Sequence, residues 1–391
     1  MRNRWSILAL LFTVRVTMAF QYQAVAALSP IMMGEFGIGL ADIGLLIGLY
    51  LSPGIMIAFP GAAIGRRFGD KETVAFGMVL MLAGGLVVAL VPTWETQIAG
   101  RVLAGIGGVI LNVLMTKMVT DWFAGQKLAT AMGIFINSWP VGIAAALLVL
   151  PSLADTIGLS ATMGFVSGFV GIGLILLVVF YRPPGTAVAS GATPSSRLHG
   201  SALACVLLAA VIWGLYNSAL GMIFGFGPAM LVERGWSAAA ASSTTSIVLW
   251  LVALSVPLGG MVADRLQRRD VVLAFGLLSF AILLLITPQS QQIVPMFIAL
   301  GVFGGLAAGP IMSLPAEVLM PGNRAHGMGL FFTLYYLAIF VTPALAGHMS
   351  VAAGSADMAF SLGGGMIIVC LLLLGVFKVI AGRERIVLVA V

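Results

Sequence analysis

Twelve runs of apolar residues, each long enough to cross a bilayer, follow one another along the chain with almost no charge inside them. They cover residues 6–33, 42–65, 72–92, 96–119, 128–151, 161–181, 201–232, 239–263, 271–288, 293–319, 327–349 and 358–381. A hydrocarbon core about 30 Å thick takes about 20 helical residues. Lipid supplies no partner for a free backbone group, so each run is predicted to be a helix. The runs are apolar throughout rather than alternating, which excludes barrel strands. The chain is 61% hydrophobic and 8% charged, with mean hydropathy +1.13. A soluble domain carries about a quarter charged residues. A soluble enzyme, a disordered chain, a coiled coil and a disulfide scaffold are therefore excluded. Sharing 391 residues among twelve runs leaves no water-soluble domain. Cys205 and Cys370 lie in separate apolar runs and read as buried thiols. The N-terminus begins like a signal peptide, but Arg15 interrupts the run and no small-residue cleavage site follows, so it reads as a retained first span.

Charge sets the expected orientation. With the N-terminus inside, 16 of the 19 Lys and Arg fall on cytoplasmic segments, Arg234 alone falls outside, and Arg15 and Arg101 lie within spans. Cytoplasmic loops are enriched in Lys and Arg, so both termini are expected in the cytoplasm of an inner-membrane protein. The net charge of +6 therefore points to a lipid bilayer rather than to nucleic acid. The stretch 182–200, rich in Pro, Gly, Ser and Thr, reads as a cytoplasmic linker. It separates residues 1–181 from 201–391, each expected to be a six-helix bundle.

The two parts repeat. GRRFGDK (65–71) follows run two and ADRLQRR (263–269) follows run eight; AMGIF (131–135) matches GMGLF (327–331); Gly107-Gly108 matches Gly304-Gly305. The offsets are close to half the chain length, as six-plus-six duplication requires. In sequence, Gly260 through Arg269 resembles the G-x-x-x-D-R-x-G-R-R loop motif of the major facilitator superfamily, with Gln267 replacing a glycine. The first copy departs from it, with Arg66 in the place of the acid and Asp70 in the place of a base. Arg101-x-x-x-Gly105-x-Gly107 resembles that family's fourth-helix motif. The resemblance spans essentially the whole chain. It implies an all-α fold of twelve transmembrane helices in two pseudo-repeats, and a transporter rather than an enzyme, with no cofactor or metal. It also implies gating or coupling roles for Arg101, Asp264, Arg265, Arg66 and Arg67.

The candidate substrate site is read from what is polar at depth. None of the 13 acids and none of the three His falls in the middle of a run, so a proton relay, a metalloenzyme and a hydrolase lack their groups. Arg15 sits about 14 Å into the first run. It either snorkels to the interface or faces a cavity and pairs with an anion, which a guanidinium binds as a planar fork. Tyr22 and Gln23 share its helix face and either join that site or bond across to other helices. Asn112 lies on the face of Arg101, and Asn137 falls in the NSWP stretch of the fifth run. Trp213, Tyr216, Asn217, Tyr335 and Tyr336 either wall a cavity or pack helices.

The expected function is secondary active or facilitative transport of a small solute, an organic or inorganic anion, by rocker-switch alternating access in a monomer. The cyanate, nitrate/nitrite and monocarboxylate carriers are the branches it most resembles. The alternatives are an exporter of drugs or apolar metabolites and, from another class, a non-transporting membrane receptor or assembly factor.

Overall fold

The computed structural model describes residues 3–57, 68–91, 93–123, 128–184, 200–266, 268–319 and 324–389, with no strand among them. Among the described residues, twelve helices are long and apolar enough to span a membrane. They are α1 (Arg4–Ala27), α2 (Leu40–Ile57), α3 (Asp70–Leu90), α4 (Trp94–Phe123), α5 (Ile134–Ile157), α6 (Leu159–Phe180), α7 (Gly200–Glu233), α8 (Ala238–Ala263), α9 (Arg269–Gln289), α10 (Ile293–Ser313), α11 (Gly327–Ala353) and α12 (Asp357–Gly382). An even number of crossings puts both ends of the chain on one side, here the terminal face; the other is the distal face.

Proline explains where helices break inside apolar runs. The first run was expected to continue to residue 33, but α1 stops at Ala27 and a separate short helix covers Ser29–Phe36. Pro30 has no N–H for the carbonyl of Ala26, and its ring would collide with that carbonyl. The Ser29 hydroxyl donates to Ala26 O instead, at 2.9 Å. A turn interrupts α2 just before Pro53, between Leu49 and Gly54. In the tenth run the helix halts at Gly304, resumes over Ala308–Ser313 and ends in a 3₁₀ turn, Leu314–Glu317, that contains Pro315. Outward-facing positions such as Phe76, Leu90, Ile175, Leu254 and Leu372 stay exposed, as a lipid-facing surface requires.

Helices α3 and α4 pack along one another, α1 packs on α5 and α6, and α7 packs on α11 and α12. Between the first six spans and the last six, α2 runs along α11 and α5 along α8. The α2–α11 contact is backbone on backbone. A β-carbon on Gly44 would lie 2.1 Å from Pro343 O, one on Gly48 2.3 Å from Phe340 O, and one on Gly347 2.4 Å from Leu40 O. Without a hydrophobic force between helices in lipid, such close approach is what small residues contribute. Side chains also cross this boundary. From the distal face inward, Ser242 Oγ donates to Ala27 O (3.3 Å), Gln23 Nε2 to Phe224 O (2.7 Å) and Asn112 Nδ2 to Tyr336 Oη (2.9 Å). In this conformation the distal side is shut.

Ion pairs sit at the two faces. On the distal face Glu233 accepts from the Ala356 N–H and the Ser355 hydroxyl, and Arg234 pairs with Asp357 at 2.8 Å. On the terminal face Lys117 bridges Asp70 and Asp121, and Lys378 bridges Asp270 and Glu317.

Candidate functional site

Arg15 does not snorkel. It lies eleven residues into α1, about 17 Å from the terminal end, and is 9% exposed. Its fork is held on two sides. Nη1 donates to Phe135 O (3.1 Å) and to Ser138 Oγ (3.4 Å). Nε and Nη2 both donate to Asn112 Oδ1, at 3.2 and 2.8 Å. The guanidinium carbon lies 4.6 Å from the ring centre of Phe135 and 6.0 Å from that of Trp139, within reach of cation–π attraction. No carboxylate touches it among the described residues. Its only buried charged companion there is Arg101, 4% exposed.

A helix break makes the Phe135 carbonyl available. Helix residues run to Ile136, Asn137 is a turn, and a new helical segment starts at Ser138. Pro140 has no N–H for the carbonyl of Ile136, so the ladder also fails at the next residue and the break is fixed here. The Ser138 hydroxyl donates to Phe135 O at 2.5 Å and so caps the loose end. Asn137 itself is half-buried at the break and does not reach Arg15.

Arg101 is likewise held inside the bundle. Nε donates to Leu46 O (3.1 Å), Nη1 to Gln21 O (3.2 Å) and Nη2 to Tyr22 O (3.0 Å), so one side chain of α4 ties α1 to α2. Tyr50 lies beneath it, 4.7 Å from ring centre to guanidinium carbon. Tyr50 Oη in turn donates to Gln21 Oε1 (3.1 Å), and Gln21 Nε2 donates to Met81 O (2.9 Å). These groups form a closed polar knot about 17 Å on the distal side of Asn112, eleven residues along α4. Its cation has three carbonyl partners, which join α4 to α1 and α2 at this level.

The other candidates divide. Tyr22 packs its ring at 5.2 Å from Trp139 and 5.6 Å from Tyr50, between the two arginines. Gln23 is fully buried and turned away from Arg15 toward the α7 carbonyl, with Oε1 unpartnered. Tyr336 is buried and joined to Arg15 through Asn112. Tyr335 is half-buried, 5.1 Å from Tyr336 and 6.2 Å from Trp213 between ring centres. Trp213 is partly exposed and stacks on Tyr216 at 5.8 Å. Tyr216 belongs to the packing, since it is buried and its hydroxyl donates to Gly304 O at 2.5 Å. Asn217 returns its amide N–H to Trp213 O on its own helix, at 2.8 Å. Sequence reading passed over Phe135, Tyr50 and Gly54; the helix-breaking Pro140 and Pro53 beside them were the available signal.

Of the expected gating residues, Arg66 and Arg67 lie outside the described residues, as does most of the expected linker, 185–199. The helix of α8 continues past Ala263 to Leu266, so the backbone of Asp264 lies in that extension, and Arg265 next to it is exposed.

The sequence pattern described as Major Facilitator Superfamily matches residues 11–232 and 202–386. The chain belongs to that superfamily. Over 396 residues it is 23% identical to the hexuronate transporter of Bacillus subtilis (strain 168), covering 93% of this chain and 92% of that one. It is also 23% identical to the inner membrane transport protein YajR of Escherichia coli (strain K12), over 89% of this chain and 77% of that one. Among solved structures it resembles a bacterial homologue of the human lysosomal transporter Spinster in an inward-facing, unoccupied conformation (TM-score 0.71, 15% identity, 97% and 96% of the two chains). It also resembles a POT family transporter in complex with a thioalcohol-conjugated peptide (TM-score 0.78, 16% identity, 96% of each). These likenesses carry the fold. This major facilitator is an integral membrane transporter of a small molecule, and Arg15 lies at mid-span where its first six helices meet its last six.

Proposed function

We propose that this transporter carries a small, singly charged anion, organic or inorganic, bound at Arg15. The observation that supports it is a buried guanidinium held only by neutral oxygens: Asn112 Oδ1, Phe135 O and Ser138 Oγ. A charge taken out of water is costly unless it is paired, and an anionic substrate supplies the missing charge. Arg101 is also held by neutral oxygens, but all three are backbone carbonyls fixed in α1 and α2. On the Nε–Nη2 edge of Arg15, by contrast, one half-buried side-chain amide takes both N–H groups. Arg15 is thus the one cation left for the ligand, which favours a single negative charge. A hexuronate is a carboxylate, and the 23% identity to the hexuronate transporter agrees with this class.

In this reading the six-helix halves 1–181 and 201–391, joined by the linker 182–200, rock about the Arg15 level as a monomer in the inner membrane, with the terminal face cytoplasmic. The distal side is shut here, so substrate would enter or leave through the terminal face. Arg66, Arg67, Asp264 and Arg265 are proposed to gate that face, while Arg101 holds the first half together. Tyr22, Tyr335, Tyr336 and Trp213 line the site, and Gln23 and Asn217 serve helix contacts. A second reading, export of drugs or apolar metabolites, rests on the half-buried aromatic pair Trp213–Tyr335 beside Tyr336.

Flux into proteoliposomes across nitrate, lactate, benzoate and D-glucuronate, set against an uncharged aromatic solute, tests the two. Uptake of an anion that Arg15→Ala abolishes is the expected result. Uptake of the uncharged solute alone, unaffected by Arg15→Ala, would overturn the anion reading.

A further inference from the structure

Two edges of the Arg15 fork are held in different ways. The Nη1 edge is fixed by Phe135 O and Ser138 Oγ at the break in α5. The edge formed by Nε and Nη2 is the one on which a carboxylate docks with two oxygens in parallel. In the structure a single oxygen, Asn112 Oδ1, takes both of those N–H groups, at 3.2 and 2.8 Å. It is a neutral acceptor doing with one atom what an anion does with two. Bonds to an ionised acceptor are about twice as strong as neutral ones, so an entering carboxylate outcompetes the amide on this edge. The Nη1 anchor keeps the guanidinium in place while the exchange happens.

Asn112 is also the link to the other half of the protein. Its Nδ2 donates to Tyr336 Oη at 2.9 Å, joining α4 to α11. Asn112 is half-buried and so has room to turn, whereas Tyr336 is packed over Gly54. An amide that loses its acceptor contact on Arg15 loses one of the two bonds that orient it toward Tyr336.

We propose that Asn112 is a stand-in for the substrate's anionic group, displaced from the Nε–Nη2 edge of Arg15 by the incoming anion, and that its release weakens the Asn112–Tyr336 bond between α4 and α11. Substrate occupancy is thereby coupled to the contact that shuts the distal side. This rests on the reading of Arg15 as the anion site.

The test uses the full-length purified protein with nitrate, lactate, benzoate and D-glucuronate as probes. Binding is read by calorimetry and by fluorescence of Trp139, which lies beside Arg15. Removing a competing hydrogen bond is expected to tighten anion binding in Asn112→Ala by about 2- to 10-fold, while turnover in proteoliposomes falls. Asn112→Asp, with a carboxylate built in on that edge, is expected to lose anion binding. Weaker binding in Asn112→Ala, with the protein's melting temperature retained, would overturn the proposal by making Asn112 an ordinary ligand. Arg15→Ala separates the two claims: wild-type affinity there defeats the anion site itself, whereas loss of binding there with no gain in Asn112→Ala defeats only the displacement.

A readout that needs no ligand covers the case in which none of the four probes binds. Ser242 is buried against Ala27 at the shut distal boundary, so maleimide labelling of Ser242→Cys reports distal opening. Asn112→Ala and Tyr336→Phe are each expected to raise labelling by about 2- to 10-fold, and the double variant no further than either one. Unchanged labelling in both would overturn the link between Asn112 and the distal closure.

Discussion

The ring of Tyr336 lies directly over Gly54: a β-carbon on that glycine would fall 2.3 Å from Cγ and 2.5 Å from Cδ1 of the tyrosine. Gly54 therefore sets where the Tyr336 hydroxyl sits, and through it the partner of Asn112. Gly54→Ala is expected to push the ring aside and to cost about 1–3 kcal/mol, the usual range for overpacking. A lower melting temperature in detergent, together with Ser242→Cys labelling at or above the Tyr336→Phe level, is the expected pair of results. Wild-type values for both would show that the ring has free space to move.

Gly44 gives a sharper case. The atom a methyl group would strike is the Pro343 carbonyl at 2.1 Å, and backbone yields less readily than a ring. Gly44→Val is expected to prevent α2 from closing on α11 while leaving each helix intact. Cysteine cross-linking between the distal ends of α2 and α11 should fall several-fold in that variant, with helical circular dichroism unchanged.

Arg15 is expected to contribute a charge-assisted bond to an anion worth about 1.5–3 kcal/mol, so Arg15→Ala should weaken binding roughly 10- to 100-fold. Arg15→Lys should fall between, since an ammonium keeps the charge and loses the fork. Titration calorimetry with the transported anion measures both. A lysine variant equal to the wild type would indicate that charge alone matters at this position.

Arg101 should behave in the opposite way. Its three carbonyl partners lie on α1 and α2, at the knot with Gln21 and Tyr50. Arg101→Ala and Arg101→Lys are both expected to lower the melting temperature, by the equivalent of about 1–3 kcal/mol, and to leave anion affinity within about two-fold of wild type in protein that remains folded. Thermal unfolding and binding measured on the same preparations distinguish this tie from a ligand role.

The driving force follows from what is ionisable at depth. The buried charged side chains among the described residues are two arginines, and an arginine keeps its proton throughout the physiological range. Transport of an anion that stays ionised across the range is therefore expected not to accumulate in response to a pH gradient alone. Counterflow and pH-jump experiments in proteoliposomes check this; uphill nitrate uptake driven by an inward proton gradient would contradict it.

Span number, the all-helical fold and the superfamily were legible in the sequence, because hydrophobic length is a local property: about 20 apolar residues span a bilayer whatever surrounds them. Arg15 and Arg101 stood out for the same reason, as charges where lipid tolerates few. What each arginine does was not local. Both are buried, yet one meets Asn112 from 97 residues away and the other meets three carbonyls of neighbouring helices. Helical spacing placed Gln23 and Tyr22 on the face of Arg15, but Gln23 crosses to Phe224 because α7 passes beside it. Tyr216 and Tyr336 carry the same side chain on facing helices; one became a packing tie to Gly304 and the other the partner of Asn112. A side chain's chemistry is written in the chain. Which acceptor lies within 3 Å of it depends on how twelve helices approach one another, and in this protein glycines such as Gly44, Gly48 and Gly54 decide that approach.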